Sequence, residues 1–281
     1  MATFENACLV IGLGAARTGT KWMSGYFAAH PDVLMPERLM HFFDTDQQFN
    51  ELYRSRLARA TAKMGGEKPG RDGKTSEKLK NLQDRVGMIG DPAKYIEFYR
   101  TRWSCERAFA DITPSYCQLA SEAYERMICI HSNVRFLFVM RNPIDRIWSD
   151  LRVRAQRDNT LSPYAALDER LSSSKSTWPN PYRRALDNLE AVIPAHAARV
   201  FFFEELFKQE SISSLCDFIG VRRYPAEIDV PQNQADPYPL DRERRHLMYR
   251  KFAGVFEYVG QRYGDRLPEC WRQDMKEFDH E

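Results

Sequence analysis

Cys8-Leu9-Val10-Ile11-Gly12-Leu13 runs into Gly14-Ala15-Ala16-Arg17-Thr18-Gly19, and from Thr20 onward Trp22, Met23, Tyr26 and Phe27 recur at helical spacing. A short continuous apolar run, a glycine turn and a 3.6-residue periodicity predict strand, loop and helix in that order. The same order returns twice. Arg135-Phe136-Leu137-Phe138-Val139-Met140 is followed by Arg141-Asn142-Pro143, with Ile144, Ile147, Trp148 and Leu151 on one helical face; Asn142 and Pro143 suit its N-cap and first positions. Arg199-Val200-Phe201-Phe202-Phe203 leads through Glu204 and Glu205 into a helix reaching Ile219, where Gly220 is the expected stop. Three buried strands, each feeding a helix, predict an α/β fold whose central parallel sheet is flanked by helices on both faces. Helical patterns also cover Pro92 to Phe109, Cys117 to Ile130, Pro181 to Ile193 and Asp241 to Tyr263. With neither repeat nor linker, one domain over residues 1–281 is expected.

Composition narrows the function classes. The 281 residues are 43% hydrophobic and 28% charged, which excludes disordered and low-complexity chains. Lys+Arg 41 against Asp+Glu 39 leaves a formal charge of +2, too balanced for non-specific nucleic-acid binding, so any anion site must come from local clustering. The apolar stretch Ala7 to Ala16 is far shorter than the ~20 residues of a spanning helix, and the residues before it carry no positive charge, so neither membrane anchor nor secretory signal is expected and the location is cytoplasmic. Six scattered cysteines form no Cys-x-x-Cys pair and no zinc spacing, and are expected to be mostly buried free thiols with no metal site. Between Arg54 and Lys80, nine Lys/Arg face three acids around the turn-rich Gly65 to Gly70, which reads as a solvated surface excursion or as a lid attracting an anionic ligand.

A glycine loop between a buried strand and a helix gathers backbone N–H groups and the positive helix end around one point, the requirement of a phosphate or sulfate. Gly14 and Gly19 have the spacing of an ATP-type P-loop, G-x-x-x-x-G-K-[ST], but Thr20 precedes Lys21 and Trp22 stands where the magnesium-binding Ser/Thr belongs. The loop fits a different pattern. Arg17-Thr18-Gly19-Thr20-Lys21-Trp22 resembles the 5′-phosphosulfate loop of the sulfotransferases, and Arg141 with Ser149 eight residues on resembles that family's 3′-phosphate motif. His30-Pro31-Asp32-Val33, His41-Phe42-Phe43-Asp44, Asp111-Ile112-Thr113-Pro114-Ser115-Tyr116 and Phe203-Glu204-Glu205-Leu206 resemble further landmarks in the expected order, nearest in pattern to the bacterial and heparan-type enzymes.

That resemblance implies a P-loop-like three-layer fold and transfer of a sulfuryl group from 3′-phosphoadenosine 5′-phosphosulfate to a hydroxyl or amine acceptor, without a metal. It implies Arg17, Thr18, Gly19, Thr20 and Lys21 around the sulfate end, Arg141 and Ser149 on the 3′-phosphate, and Trp22 either stacking on adenine or anchoring the core. The acceptor must lose a proton. Where the heparan-type pattern has a Glu base two residues before the His, this chain has Leu39, so Glu37 becomes the first candidate base and His41 the second, with Asp44 as an orienting group and Asp111 in reserve. The arginines of Asp241 to His246 and Arg250-Lys251 are expected mostly on a solvated helix face. A P-loop kinase and a catalytically silent nucleotide-binding homologue are the rival readings. Carbohydrate, lipid, phenolic and natural-product acceptors all remain open, as does oligomeric state.

Overall fold

The computed structural model describes residues 3–44, 47–64, 73–158, 162–174, 177–228 and 238–279. Along the chain run β1 (Cys8–Gly14), α1 (Thr20–Ala29), β2 (Val33–Leu34), α2 (Gln47–Met64), α3 (Gly73–Gly87), α4 (Pro92–Arg100), β3 (Ala108–Ile112), α5 (Ser121–Cys129) and β4 (Val134–Met140). There follow α6 (Pro143–Arg157), α7 (Pro163–Ser172), α8 (Tyr182–Val192), β5 (Ala198–Phe202), α9 (Phe203–Leu206), α10 (Gln209–Ile219), α11 (Arg242–Tyr263) and α12 (Glu269–Phe278).

The strands form one sheet in the order β2-β3-β1-β4-β5, and every neighbouring pair is parallel. Its central strands are apolar throughout because helices cover both faces, yet alternate residues still part company. Leu9, Ile11 and Leu13 of β1 join Phe109, Phe136 and Phe138 in a core closed by Tyr95, Tyr124, Tyr182, Phe252 and Trp271. Val10, Ala110, Leu137 and Val139 face the other way, onto Phe27 of α1 and Ile212, Leu215 and Ile219 of α10. After β1 the chain crosses to the edge strand β2 and comes back beside β1 through β3, then builds the other side through β4 and β5. The carboxyl edge of β1 is therefore a topological switch point, where open α/β sheets bind ligands.

Most expected elements are present, with informative exceptions. Asn142 caps α6 by accepting from the Ile144 N–H at 3.0 Å, with Pro143 in the first turn, and Gly220 ends α10 at φ +75°. The helix expected from Pro92 to Phe109 stops at Arg100, and β3 takes over at Ala108. Its five buried residues include two alanines and an aspartate, so no β-branched run marks the strand. The basic segment is largely helical, α2 packing against α3, while Gly65 to Gly70, Arg71 and Asp72 lie outside the described residues. Of the free thiols, Cys8, Cys117 and Cys216 are buried, but Cys105 and Cys129 are exposed. Among the described residues no helix is long and apolar enough to cross a membrane.

Candidate active site

β1 ends where only glycine fits. At Gly14, φ is +106° and a Cβ would lie 2.4 Å from the Pro114 carbonyl oxygen. Gly19, at φ +85°, is the N-cap of α1, and its carbonyl accepts the first helical bond, from the Met23 N–H at 2.9 Å. The N–H groups of the first turn thus have no partner within the helix and face the loop. Thr18 is fully buried and its hydroxyl donates to the Ala15 carbonyl at 2.7 Å, closing the loop. The Thr18 hydroxyl is thus engaged within the loop itself. Thr20 and Lys21 sit half-buried at the helix start.

Two guanidinium groups converge beside this loop. Arg17 donates through Nε and Nη2 to the Ser149 hydroxyl, at 3.2 and 2.9 Å, across 132 residues of sequence. Arg141, at the end of β4, donates through Nη1 to the Arg17 carbonyl at 3.2 Å and lies 4.2 Å over the Phe203 ring. Among the described residues neither has a carboxylate at ion-pair distance. Burial pulls both below the ordinary arginine pKa; around Arg17 the charges of Arg152 and Arg157 on α6 add to this while Asp150 opposes it. At Arg141 the nearby Asp145 and Glu204 oppose the shift and Arg17 adds to it. Like charges gathered in a partly desolvated cleft, Arg17 and Arg141 having no carboxylate at ion-pair distance among the described residues, favour a negatively charged group there. Arg152, absent from the expected site, lies one helical turn beyond Ser149, a spacing the sequence already contained.

The basic run of α11 does not reach this cleft with loose charges. Arg242 pairs with Glu277 at 2.6 Å, Arg244 with Asp168 and Asp241 at 2.6 Å each, and Arg245 with Asp274 and Asp145 at 2.6 and 2.8 Å. Asp274 also accepts from the Asn142 side chain at 2.7 Å, so Arg245 braces the start of α6 instead of touching a ligand. Glu204 accepts from the Asn142 N–H at 2.7 Å, and its burial pushes that carboxyl up. Trp22 is 6% exposed, stacked on Tyr26 at 5.6 Å and edge-on to Phe207, with its indole N–H on the Glu227 carbonyl at 3.1 Å. Its ring packs within the core on the α1 face of the sheet.

On the other side of β1, residues 37–44 pass over the end of β3. The Thr113 N–H donates to the Gly12 carbonyl at 3.0 Å, and its hydroxyl accepts from the His41 N–H at 3.4 Å. His41 is buried, and its Nδ1 is hydrogen-bonded to Asp44 Oδ2. The Ser115 hydroxyl donates to the same carboxylate oxygen at 2.8 Å and lies 3.3 Å from Nδ1. Glu37 differs. It is half-buried, and Oε1 accepts from the neighbouring Arg38 N–H at 3.1 Å. Asp111 is sealed in, accepting from the hydroxyls of Thr113, Tyr116 and Tyr95 at 2.7, 2.9 and 3.1 Å, and burial raises its pKa. With no exposed surface it cannot meet an acceptor, which removes it as the reserve base.

A sequence model described as the sulfotransferase family matches residues 10–225, from β1 past α10. The chain belongs to the sulfotransferase family. Loop, both arginines and the His41 segment all fall inside the matched span, and the kinase rival is set aside. The fold is similar to that of a sulfotransferase from Alicyclobacillus acidocaldarius, with a TM-score of 0.61 and 19% identity over 94% of this chain and 98% of that one. The sulfotransferase domain of the Synechococcus PCC 7002 olefin synthase gives 0.49 and 17%, covering 89% and 96%. Mouse sulfotransferase SULT7A1, solved with PAP, gives 0.44 and 14%, covering 99% and 91%. No curated protein matches the sequence. Sulfuryl transfer is thus the chemistry to which this sulfotransferase site belongs.

Proposed function

We propose that the enzyme takes its sulfuryl group from 3′-phosphoadenosine 5′-phosphosulfate and passes it to a hydroxyl, with His41 as the base. The observation that carries the donor is the pair of half-buried arginines, Arg17 and Arg141, brought together by a hydrogen bond from the Arg141 guanidinium to the Arg17 carbonyl, with no carboxylate at ion-pair distance among the described residues. A donor with phosphate at both ends of its ribose needs two adjacent cradles. The β1–α1 loop with Arg17, Gly19, Thr20 and Lys21 serves the 5′ end, and Arg141 with Ser149 the 3′-phosphate.

The donor supplies the activated sulfuryl group. Arg17 faces the oxygen on which negative charge grows as the sulfur–oxygen bond breaks, an interaction stronger in the transition state than before it. Ser149 holds the Arg17 guanidinium in readiness from the 3′ side. With Nδ1–H given to Asp44, neutral His41 carries its basic lone pair on Nε2, and Asp44 stabilises the imidazolium formed when the acceptor proton arrives. Glu37 has no comparable support and takes second place, the reverse of the order read from sequence.

The test is transfer of labelled sulfuryl groups to a panel of carbohydrate, phenolic, lipid and amine acceptors in the presence of a metal chelator. Product with at least one acceptor, formed about 100-fold more slowly by Arg17→Ala, is the expected result. Donor binding without turnover on any acceptor would make the protein the silent homologue, and ATP-dependent phosphorylation would overturn the reading altogether.

A further inference from the structure

Three non-glycine residues among those described have left-handed backbones: Arg17 at φ +69°, Leu39 at +61° and His41 at +50°. Such conformations persist only where surrounding contacts impose them. Each carbonyl is in fact held by a side chain from a distant element. Arg141 donates to the Arg17 carbonyl at 3.2 Å, Tyr53 to the Leu39 carbonyl at 3.0 Å, and Arg85 through Nη2 to the His41 carbonyl at 2.7 Å. The last two belong together. Tyr53 comes from α2 and Arg85 from α3, and the Arg85 guanidinium lies 4.5 Å over the Tyr53 ring.

Arg85 is costly to place. It is 3% exposed, its Nε and Nη1 lack partners, and no carboxylate pairs with it among the described residues. A buried cation in that condition has to be retained for something other than stability. Among the described residues, its one direct hydrogen bond falls on the backbone of the residue proposed as the base.

We infer that Arg85 and Tyr53 are positioning residues that clamp Leu39 and His41 in their left-handed conformations and so set the His41 ring against Asp44 and Ser115. The inference rests on His41 being the base and gives the helical pair α2–α3 a defined task on the acceptor side. It departs from the reading of that basic segment as an electrostatic lid, because the contact runs through one arginine and one tyrosine hydroxyl.

Two readouts on the full chain test it. With histidine labelled for NMR, the His41 imidazole signal, assigned among six histidines by its loss in His41→Gln, is expected to shift in Tyr53→Phe and in Arg85→Met and to stay near its original position in Arg85→Lys. In turnover, Tyr53→Phe and Arg85→Met are expected to lower kcat ~10-fold with donor Kd unchanged, and Leu39→Gly, which adopts positive φ freely, is expected to recover part of the Tyr53→Phe loss. An unmoved His41 signal in both Tyr53→Phe and Arg85→Met would overturn the clamp, whatever the turnover. So would a donor Kd that worsens in step with kcat in the mild variant Tyr53→Phe. Absence of any sulfuryl transfer by the wild type would instead sink the proposed function while leaving the NMR result to stand for or against the clamp.

Discussion

Arg141 follows directly on β4 and Arg17 lies in the short loop after β1, whereas His41 owes its place to groups scattered from Tyr53 on α2 to Ser115 beyond β3. The proposed donor side is assembled by adjacency in the sheet: β1 and β4 pair in parallel, and their carboxyl ends bring both arginines to one edge. The proposed acceptor side is assembled by tertiary pinning of a segment with almost no regular structure of its own. Local sequence therefore determines the first far more than the second, and substitutions should separate the two sides cleanly.

The largest expected effect is on the acceptor side. His41→Ala should cut turnover by ~10²–10⁴-fold with donor affinity nearly intact, while Glu37→Gln should change turnover by no more than about threefold. Steady-state rates at saturating donor, beside a donor titration, check both, and the opposite ranking would restore Glu37 as base. On the donor side, Arg17→Ala should lower kcat by about 100-fold and donor affinity by much less, because the charge it meets develops during bond cleavage. Equal losses in the two would erase that distinction. Ser149→Ala should weaken donor binding only about 3–10-fold, the worth of one hydrogen bond, read by the same titration.

The smallest effect belongs to neither side and calibrates both. Asp32 is held at a pKa of about 2, first by its hydrogen bonds from the Arg222 guanidinium, at 2.7 to 3.1 Å. A carboxyl whose pKa is depressed on folding contributes stability above its unfolded value, roughly 3.9, and loses it as pH falls towards 2. Since the Arg222 side chain is 66% exposed, the contribution is ~1 kcal/mol or less. Denaturant unfolding of Asp32→Asn should show that deficit at pH 7 and little difference from wild type near pH 2. Turnover should not change.

The same contrast governs what could be read without coordinates. Gly14, Gly19, Arg17, Arg141 and Ser149 announce themselves because strand, turn and helix are contiguous and the two arginines need only a parallel sheet to meet. β3 carries no strand signature in the sequence although it lies beside β1, since Ala108, Ala110 and the buried Asp111 interrupt the run of large apolar residues. Trp22 was ambiguous because the loop pattern fixes its position but not its partners, and Tyr26, Phe207 and the Glu227 carbonyl come from elsewhere. Glu37 outranked His41 on spacing alone; the Asp44–Ser115 support of His41 joins residues 71 apart. Tyr53 and Arg85 flank the basic run Arg54 to Lys80 without any local pattern of their own, because their partners, the Leu39 and His41 carbonyls, lie in another segment.

The central claim is that Arg17 and Arg141, which have no carboxylate at ion-pair distance among the described residues, anchor two adjacent cradles for a doubly phosphorylated nucleotide. Calorimetric titration of adenosine 3′,5′-bisphosphate without magnesium, into wild type and Arg141→Ala, tests it most directly. The account predicts binding to wild type, weakened by roughly 10–100-fold in Arg141→Ala, the equivalent of ~1.5–3 kcal/mol for a charge-assisted contact, and unchanged in His41→Ala. Equal affinity in wild type and Arg141→Ala, or a preference for ATP over the bisphosphate, would contradict it.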